Sequence, residues 1–433
     1  MFAGRAHRVS IQQGEGRSSV PENRSPADAP VMTLAEALDA LAGSVRPIAD
    51  HEPVPLAHAL DRILAEEVRA GHAVPPHDNA AVDGYAFAAA DLAQQTDRRL
   101  RVVDRAAAGH PITAPPPPGT AVRIFTGAPM PPALDTVAMQ EDCRLEQGYV
   151  LLPAGLKAGA NRRRAGEDVR EGAVVLKPGR RLRAQDIGLA AAVGAGSVRV
   201  YRRLRSAVFS TGDELKEPGT PLQAGEIHDA NRFALMALLS GLGCTVSDLG
   251  IIADRERAIR AALAQAAADH DLIVTSGGMS VGEEDHVKAA VRELGRLAFW
   301  RLAIKPGRPI GIGAVGGVPF IGLPGNPVAM IVTFLRIARP MVLGLAGATD
   351  TAPTAWRVRA GFAERKKVGR REWIRARLVP SAEGEPVAQR FPQQGSGILS
   401  SLVEADGLIE LPEDLEQVSE GDRVDFYPFS AFR

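Results

Sequence analysis

Hydrophobic periodicity divides the chain into regions of different kinds. Between residues 206 and 345, short β-branched runs alternate with longer stretches of helical periodicity, such as the Ala-rich residues 255–267. Such alternation predicts a parallel sheet covered by helices on both faces, with ligands bound at the carboxyl ends of the strands. Beyond Thr351, short strands separated by Gly and Pro turns predict a small barrel.

The region before residue 206 has a weaker pattern. A helix is predicted from Thr33 to about Ala42, because Thr33 and Glu36 have the spacing of a capping box. Residues 50–170 alternate short β-like runs with turns. Residues 1–30 are rich in Arg, Ser, Gly and Pro without the apolar core of a signal peptide, so we interpret them as a disordered leader.

Composition argues against several functional classes. The 433 residues are too many for one core and indicate two to four domains. Lys and Arg together number 51, as do Asp and Glu, so no bulk charge attracts nucleic acid or membrane. No apolar stretch is expected to be long enough to span a membrane. The two cysteines, Cys143 and Cys244, lack C-x-x-C partners, which argues against a disulfide scaffold and fits a reducing cytoplasm.

The glycine-rich loop at residues 276–282 is the strongest chemical signal. It follows the apolar run at residues 272–275 and precedes a helical pattern that begins near Glu284. Gly277 and Gly278 allow the backbone to approach a ligand closely, and the free amides of a helix start favour an anion. The sequence therefore predicts an anion site where this strand ends.

Carboxylates beside a phosphate cradle indicate a divalent cation. Glu283, Glu284 and Asp285 stand together at the loop, and their oxygen ligands favour Mg²⁺ over zinc. The loop also contains the hydrolase elbow pattern G-x-S-x-G around Ser280. An elbow serine needs a histidine from a separate loop, but the only later histidine is His286, in the following helix. A serine hydrolase is therefore disfavoured, and the sequence has no P-loop motif.

Three further loops carry candidate chemistry. Residues 210–214 place two acids at the sheet edge. They form either an ordinary connecting loop or a second wall of the same site. Lys305, with Arg301 nearby, offers cations that suit oxyanion binding. The loop at residues 322–327 opens the last helix and either lines a pocket or is a structural turn. The basic run at residues 365–367 is interpreted as solvated surface, with phosphate contact as the less favoured alternative.

These loops and several segments of the middle region form an ordered series. The series consists of residues 83–86 (D-G-Y-A), 123–131, 139–142, 159–168, 210–215, 275–285, 300–309 and 322–327. In this order, and over nearly all of residues 33–433, the segments resemble the molybdopterin molybdenumtransferase family, whose members insert molybdate into the pterin dithiolene. Several segments are long and specific, so chance is a poor explanation.

The resemblance implies a multidomain α/β plus β fold and an elongated homodimer. The implied domains, after the leader (1–30), are an N-terminal linker or dimerisation domain (31–50 and 170–204), an inserted β-rich domain (51–169), a three-layer α/β molybdopterin-binding domain (205–346) and a C-terminal β-barrel domain (347–433). The α/β domain of one subunit would face a β-rich domain of the other, so that the two subunits share each active site.

The reaction implied by the resemblance converts adenylylated molybdopterin and molybdate, with Mg²⁺, into molybdenum cofactor and AMP. The implied catalytic residues are Asp285, Glu214, Asp83, Thr126 and Lys305. The implied substrate-binding residues are Ser276, Gly277, Gly278, Ser280, Asp168, Arg301, Pro324 and Pro327, and the implied metal ligands are Asp254, Asp285 and Glu214. Asp83, Thr126 and Asp168 would reach the site from the partner subunit. A transient contact with the adenylyltransferase is also implied.

Two other functions share parts of this pattern. Molybdopterin adenylyltransferase resembles residues 205–345 and has the T-S-G-G loop, but it has no use for the D-G-Y-A segment or the barrel. A scaffold or carrier of the gephyrin type shares the architecture and would release no AMP. The chain also departs from the family pattern, with Arg301 where lysine is common and Ala329 where serine is common.

Overall fold

The computed structural model describes residues 31–47, 50–92, 98–279, 286–381 and 384–432. Within them the chain forms a seven-stranded sheet, a six-stranded sheet, a closed barrel and several two-stranded ribbons. This confirms the expected multidomain α/β plus β fold. The predicted leader, Ser280 and the three acids from Glu283 to Asp285 lie outside the described residues. The exact domain boundaries stay predictions.

The seven-stranded sheet is the centre of the α/β region. Its strands lie in the order Val31–Met32, Gly295–Leu302, Pro309–Val315, Val318–Leu323, Leu272–Ser276, Arg205–Thr211 and Thr245–Ile252. Only Pro309–Val315 runs against the others. Gly316 and Gly317, with φ of 57° and 89°, form the two-residue hairpin turn that reverses the chain there. The expectation of a wholly parallel sheet was therefore wrong at one strand.

Helices cover both faces of this sheet. They are Leu34–Ser44, Ala230–Gly241, Glu256–Asp269, His286–Leu294 and a continuous helix over Pro327–Leu345. Along one strand, Val208 packs into the core beneath Ala230–Gly241, whereas Ala207 and Phe209 pack into the core beneath Glu256–Asp269. Because alternate residues of a strand point to opposite faces, a strand buried on both faces carries consecutive apolar residues, as at 207–209 here. The predicted three-layer domain is confirmed.

The helix over Pro327–Leu345 is the longest in the described chain. By length and composition it could cross a membrane, so the expectation that no stretch is long enough was wrong. However, 83% of its apolar window is buried inside the protein, which identifies it as a core helix. It consists of Pro327–Thr333, a π-helical turn at Phe334–Ala338, and Arg339–Leu345.

The N-terminal segment packs onto the same α/β core. Thr33 caps the helix Leu34–Ser44 with the capping box that the sequence predicts. Leu34 and Leu41 are buried against the long helix. Three ribbons and a helix follow between here and residue 205: His51–Pro55 with Ser197–Tyr201, Val68–Arg69 with Val174–Leu176, Asn79–Ala80 with Arg162–Arg163, and the helix Ala184–Ala192.

Two β-structures complete the fold. The six-stranded sheet has the order Thr136–Met139, Gly84–Phe87, Thr120–Ile124, Arg99–Ala106, Tyr149–Leu151 and Arg144–Glu146. The barrel joins Arg371–Val379, Val387–Arg390, Trp356–Ala360, Arg423–Pro428 and Gly407–Leu411, and the last of these pairs with the first. The two-residue strand Ile304–Lys305 lies in the chain between Gly295–Leu302 and Pro309–Val315 of the α/β sheet, and it pairs with Arg371–Val379. This pairing ties a predicted site loop to the barrel.

Candidate functional site

Four parallel strands of the α/β sheet end side by side. In their registers, Ser276 lies opposite Ser210 on one side and Leu323 on the other, and Thr211 lies opposite Ile252. The loops that follow these strands therefore emerge at one sheet edge. The loop at residues 210–214 and the glycine loop thus follow neighbouring strands. This agrees with the prediction that the two loops form one site.

The start of the glycine loop depends on glycine. Gly277 and Gly278 have φ of +94° and +63°, in the left-handed region that other residues rarely adopt. A Cβ atom on Gly277 would also lie 2.9 Å from the carbonyl oxygen of Thr211. The Gly277 amide donates to the Leu323 carbonyl over 3.2 Å. The loop therefore passes closely between the two neighbouring strand ends.

Asn231 joins three of the loops at this edge. Its amide nitrogen donates to the Ser276 hydroxyl (2.8 Å) and to the Gly325 carbonyl (2.6 Å). The Ser276 hydroxyl in turn donates to the Pro324 carbonyl over 3.1 Å. Ser276 and Pro324 are buried, so this network fixes the spacing between the glycine loop and the loop that opens the long helix. No motif in the sequence distinguishes Asn231 from the other polar residues of its helix.

Oxygen ligands lie beside the glycine loop. The Thr211 hydroxyl donates to the partly buried Asp254 carboxylate over 3.4 Å. The exposed Glu214 side chain folds back over Gly212, since a Cβ there would lie 2.7 Å from Glu214 Oε2. In the described part of the chain, no group of three His, Cys, Asp or Glu residues could hold a metal. One or two carboxylates and a hydroxyl, completed by water and phosphate, nonetheless fit the oxygen chemistry of Mg²⁺.

A buried arginine supports this edge from behind. Arg232 donates to Asp229 over 3.0 Å, to Glu217 over 2.5 Å, and to Asp248. Burial tends to lower the pKa of the guanidinium, but hydrogen bonds to Asp248, Asp229 and Glu217 outweigh it and raise the pKa. Asp229 also caps the helix that carries Asn231. The cluster therefore holds the start of that helix in place.

Lys305 lies where the α/β region meets the barrel. Its ammonium forms an ion pair of 3.0 Å with Glu372, and Arg370 donates to the same carboxylate over 2.7 Å. Gly307, with φ of +96°, packs against the long helix so tightly that a Cβ would lie 2.2 Å from Thr333 Oγ1. The loop is thus held between the barrel and the long helix. No motif in the sequence indicates that Glu372 would lie at this loop.

The remaining predicted residues of the α/β region lie on nearby elements. Pro324 is buried at the end of its strand, and Pro327 is the first residue of the long helix, as predicted. The Val328 amide at that helix start donates to the carbonyl of Ser396, from the C-terminal region, over 3.0 Å. Arg301 is partly buried and lies between Val31 and Pro309 in the sheet.

Asp83 and Thr126 lie together in the inserted region. The Asp83 carboxylate accepts from the Thr126 amide (2.8 Å) and hydroxyl (2.7 Å). The bond from the Thr126 amide, followed by the one from its hydroxyl, lowers the pKa of Asp83 below its usual value. Asp168 is exposed, and its amide donates to the Val74 carbonyl. Within the described part of one chain, the hydrogen bonds of these three residues stay in the inserted region.

Family models cover most of the chain. The MoeA N-terminal region (domain I and II) matches residues 32–194, a probable molybdopterin binding domain matches residues 207–344, and the MoeA C-terminal region (domain IV) matches residues 357–429. These matches follow the inserted β-rich region, the α/β sheet and the barrel in turn.

Whole-chain relatives agree with these models. The molybdopterin molybdenumtransferase of Haemophilus influenzae is 40% identical over 377 residues, which span 87% of this chain and 93% of that protein. Molybdopterin molybdenumtransferase 2 of Mycobacterium tuberculosis is 35% identical and spans 86% of this chain and 93% of its own. A crystal structure of the molybdopterin biosynthesis moeA protein from Pyrococcus horikoshii OT3 has a TM-score of 0.79 at 29% identity, covering 92% of this chain and 100% of that one. The chain belongs to the molybdopterin molybdenumtransferase family.

Proposed function

We propose that this protein inserts molybdate into adenylylated molybdopterin, with release of AMP and formation of molybdenum cofactor. The observation that carries this proposal is that relatives named molybdopterin molybdenumtransferase match the chain over the inserted region, the α/β region and the barrel together. An adenylyltransferase of one α/β domain would leave the other two regions without a role. A scaffold without catalysis would leave the strand-end loops without one, so neither alternative is favoured.

The glycine loop is the proposed cradle for the phosphate of the adenylylated pterin. Ser276, Gly277 and Gly278 stand at the strand end, and the anion site predicted from the sequence continues through Ser280. Asn231 and Pro324 hold Ser276 in place, so the cradle is preorganised. Pro327 starts the long helix and is proposed to border the cradle on its other side.

Glu214, Asp254 and Asp285 are the proposed acids of the site. The first two lie beside the glycine loop, and Asp285 follows it in sequence. Mg²⁺ bound to these oxygens would neutralise phosphate charge during cleavage of the adenylate. The carboxylate of Asp285 is assigned either to orient the attacking oxygen as a base or to bind the metal. Two bond changes are involved: water cleaves the phosphoanhydride and releases AMP, and molybdate binds the pterin sulfurs. The first change needs both charge neutralisation and this orientation.

Lys305 and Arg301 are the proposed molybdate ligands. Half of the Lys305 side chain is exposed, so an incoming anion can reach its ammonium. An ammonium and a guanidinium both supply charge-assisted hydrogen bonds to an oxyanion. Because Ala329 lacks the hydroxyl that is common in the family at this position, the cations carry more of the oxyanion contact in this chain.

We infer that the protein is a homodimer with shared sites. Asp83, Thr126 and Asp168 are proposed to enter the site of the partner subunit, which is consistent with their hydrogen bonds staying within their own region. Two free cysteines, Cys143 and Cys244, support a reducing cytoplasm as the location. Since the substrate is already adenylylated, we also expect transient contact with the adenylyltransferase.

Replacement of Asp285 tests the proposed reaction. We expect Asp285→Asn to fold normally and to lose AMP release by about a hundredfold or more, since an acid that contacts reacting atoms typically contributes that much. AMP release from adenylylated molybdopterin and molybdate is measured beside thermal unfolding. Asp269→Asn, at an exposed position in a neighbouring helix, is the matched control. Near-normal AMP release by folded Asp285→Asn would refute the assignment.

Subunit complementation tests the shared site. Asp83→Ala and Asp285→Ala should each be inactive alone, but a heterodimer of the two has one site with both acids intact. Random mixing should therefore restore about a quarter of parental AMP release, since half of the dimers carry one of two sites. Light scattering gives the oligomeric state in parallel. An active monomer, or no restoration by heterodimers that are shown to form, would contradict the proposal.

A further inference from the structure

Glu372 of the barrel is surrounded by cations from two parts of the fold. Lys305 bonds to one carboxylate oxygen over 3.0 Å and Arg370 bonds to the other over 2.7 Å. Lys366 also lies within electrostatic reach of this carboxylate. Burial lowers the pKa of Lys366, and the Glu372 charge opposes part of this lowering. Three cations thus lie around one carboxylate, and Glu413 and Asp414 also act on Lys366.

Burial differs sharply among these groups. The Glu372 and Lys366 side chains are 5% and 8% exposed, whereas that of Lys305 is 49% exposed. Lys366 therefore belongs to the protein interior, so the interpretation of residues 365–367 as solvated surface was wrong for this residue, whereas Arg365 and Lys367 are exposed. Its ammonium donates only long hydrogen bonds, to the carbonyls of Lys367 (3.3 Å) and Glu413 (3.4 Å). The cluster is buried on the barrel side and opens to solvent at Lys305.

The backbone holds Lys305 against Glu372. Strand pairing sets Ile304 opposite Arg371 and Lys305 opposite Glu372, and the Arg371 amide donates to the Ala303 carbonyl over 2.8 Å. On its other side the loop packs on the long helix through Gly307. Lys305 cannot leave Glu372 by a shift of the whole loop without breaking these contacts, so an anion has to compete for the side chain in place.

We propose that Glu372 is a built-in counter-anion that holds Lys305 until an oxyanion displaces it, and that it thereby limits oxyanion affinity. The proposal rests on the proposed role of Lys305 in molybdate binding. An oxyanion that binds Lys305 must replace one charge-assisted hydrogen bond and approach a fixed negative charge. Lys366 and Arg370 keep the carboxylate neutralised once Lys305 has turned to the ligand. Glu372 is thus a residue that limits oxyanion affinity through Lys305 and lies outside the reacting atoms.

The sign of one substitution separates this role from a structural one. Glu372→Gln keeps the size and removes the charge, so molybdate should bind about three- to tenfold more tightly, the range expected for a half-exposed ion pair. Glu413→Gln is the matched control, because the Glu413 charge also acts on Lys366 but its carboxylate pairs with Arg371 and not with Lys305. It should change affinity by less than about twofold. Lys305→Met should bind at least about tenfold more weakly than the parent.

Equilibrium dialysis of molybdate against the full-length protein, without pterin, gives the dissociation constants. Tighter binding by Glu372→Gln than by both the parent and Glu413→Gln would support the proposal. Unchanged or weaker binding, or no detectable binding by any variant, would overturn it. If Glu372→Gln does not fold, Glu372→Asp serves instead, because its shorter side chain should release Lys305 and also tighten binding. AMP release is assayed separately, so failure of the proposed reaction is distinguishable from failure of this assignment.

Discussion

The α/β region and the barrel each bury an arginine, and they treat its charge in opposite ways. Arg232 is 2% exposed and donates to three carboxylates, those of Asp229, Asp248 and Glu217. Arg375 is 1% exposed, yet its described partners are neutral: the Ser401 hydroxyl (2.9 Å) and the carbonyls of Gln393 (3.3 Å) and Gly395 (2.9 Å). The Arg232 guanidinium thus has more negative charge around it than it needs for neutralisation. The Arg375 guanidinium is stabilised only by the dipoles of neutral groups.

The pKa values follow this difference. Carboxylate hydrogen bonds outweigh burial and raise the pKa of Arg232, whereas burial and the nearby Arg390 lower the pKa of Arg375 to about 10. Removing one partner of a buried ion pair strongly lowers the unfolding free energy, because the other charge stays buried and unpaired. A buried ion that has no counter-charge already destabilises the fold through its desolvation, so its removal costs less. The two arginines therefore predict unequal consequences of the same substitution.

The largest effect is expected at Arg232. Arg232→Met would leave Asp229, which is 1% exposed, as a buried anion without its counter-charge. Breaking a buried pair from one side typically costs about 3–5 kcal/mol of unfolding free energy. We expect urea unfolding to show a decrease of this size in the unfolding free energy. We also expect weaker binding of the adenylylated pterin at the sheet edge where Asn231 joins the loops.

Arg260→Met supplies the control for this substitution. Arg260 lies in the same region and pairs with Glu293, but both side chains are about half exposed. A surface pair of this kind is worth less than about 1 kcal/mol. If both variants lost a similar amount of unfolding free energy, burial would add nothing to the ion pairs of Arg232. The proposed difference between the two buried arginines would then be wrong.

Local patterns predicted the core of this molecule well. β-branched runs and the Thr33 capping box indicated the strands and the first helix, because their signals lie within a few neighbouring residues. The single antiparallel strand was missed, although the Gly316-Gly317 dipeptide between two apolar runs is a hairpin signal. Here local turn chemistry overrode the general alternation pattern.

Contacts between distant segments could not be predicted in the same way. Glu372 meets Lys305 through strand pairing across 67 residues of sequence, and nothing near either residue indicates it. Asn231 could have been suspected, since it follows the Asp229 cap at the start of a helix near the predicted ligand edge. The roles assigned to Asp285 and to the other site residues stay predictions, because they depend on substrate and on a second subunit.

Acid should act on the α/β region through Asp271. This carboxylate is 12% exposed and bonds to Arg202 (2.8 Å) and Arg205 (3.1 Å). Burial would raise its pKa, but hydrogen bonds from Arg202 and Arg205 outweigh it and lower the pKa from 3.8 to about 2. The folded state therefore binds this proton less readily than the unfolded state. Its stabilisation, about 2 kcal/mol, is present above pH 3.8 and is lost as pH falls through about 2.

Asp271→Asn should remove that part of the acid dependence. The difference in unfolding free energy between the parent and the variant should shrink as the pH falls from about 5 to about 2. Urea unfolding at each pH provides the measurement. The neutral acceptors around Arg375 cannot titrate in this window, so hydrogen exchange in the barrel loop at residues 393–399 should be unaffected by Asp271→Asn. A constant difference across this range would mean that the two arginines do not hold Asp271 as an anion.

The smallest effect is expected at Arg375 itself. Arg375→Met loses three hydrogen bonds to neutral acceptors but also removes a buried charge that has no described carboxylate partner, so the two changes largely offset each other. We expect a loss of about 1 kcal/mol of unfolding free energy, well below that at Arg232.

The local consequence of Arg375→Met should be larger than its effect on global stability. Arg375 holds the loop whose Ser396 carbonyl meets the long helix at Val328, so amide exchange at residues 393–399 should accelerate. Arg377→Met, an exposed position two residues along the same strand, controls for the strand. A loss at Arg375 as large as that at Arg232 would mean that dipoles neutralise a buried guanidinium as effectively as three carboxylates do.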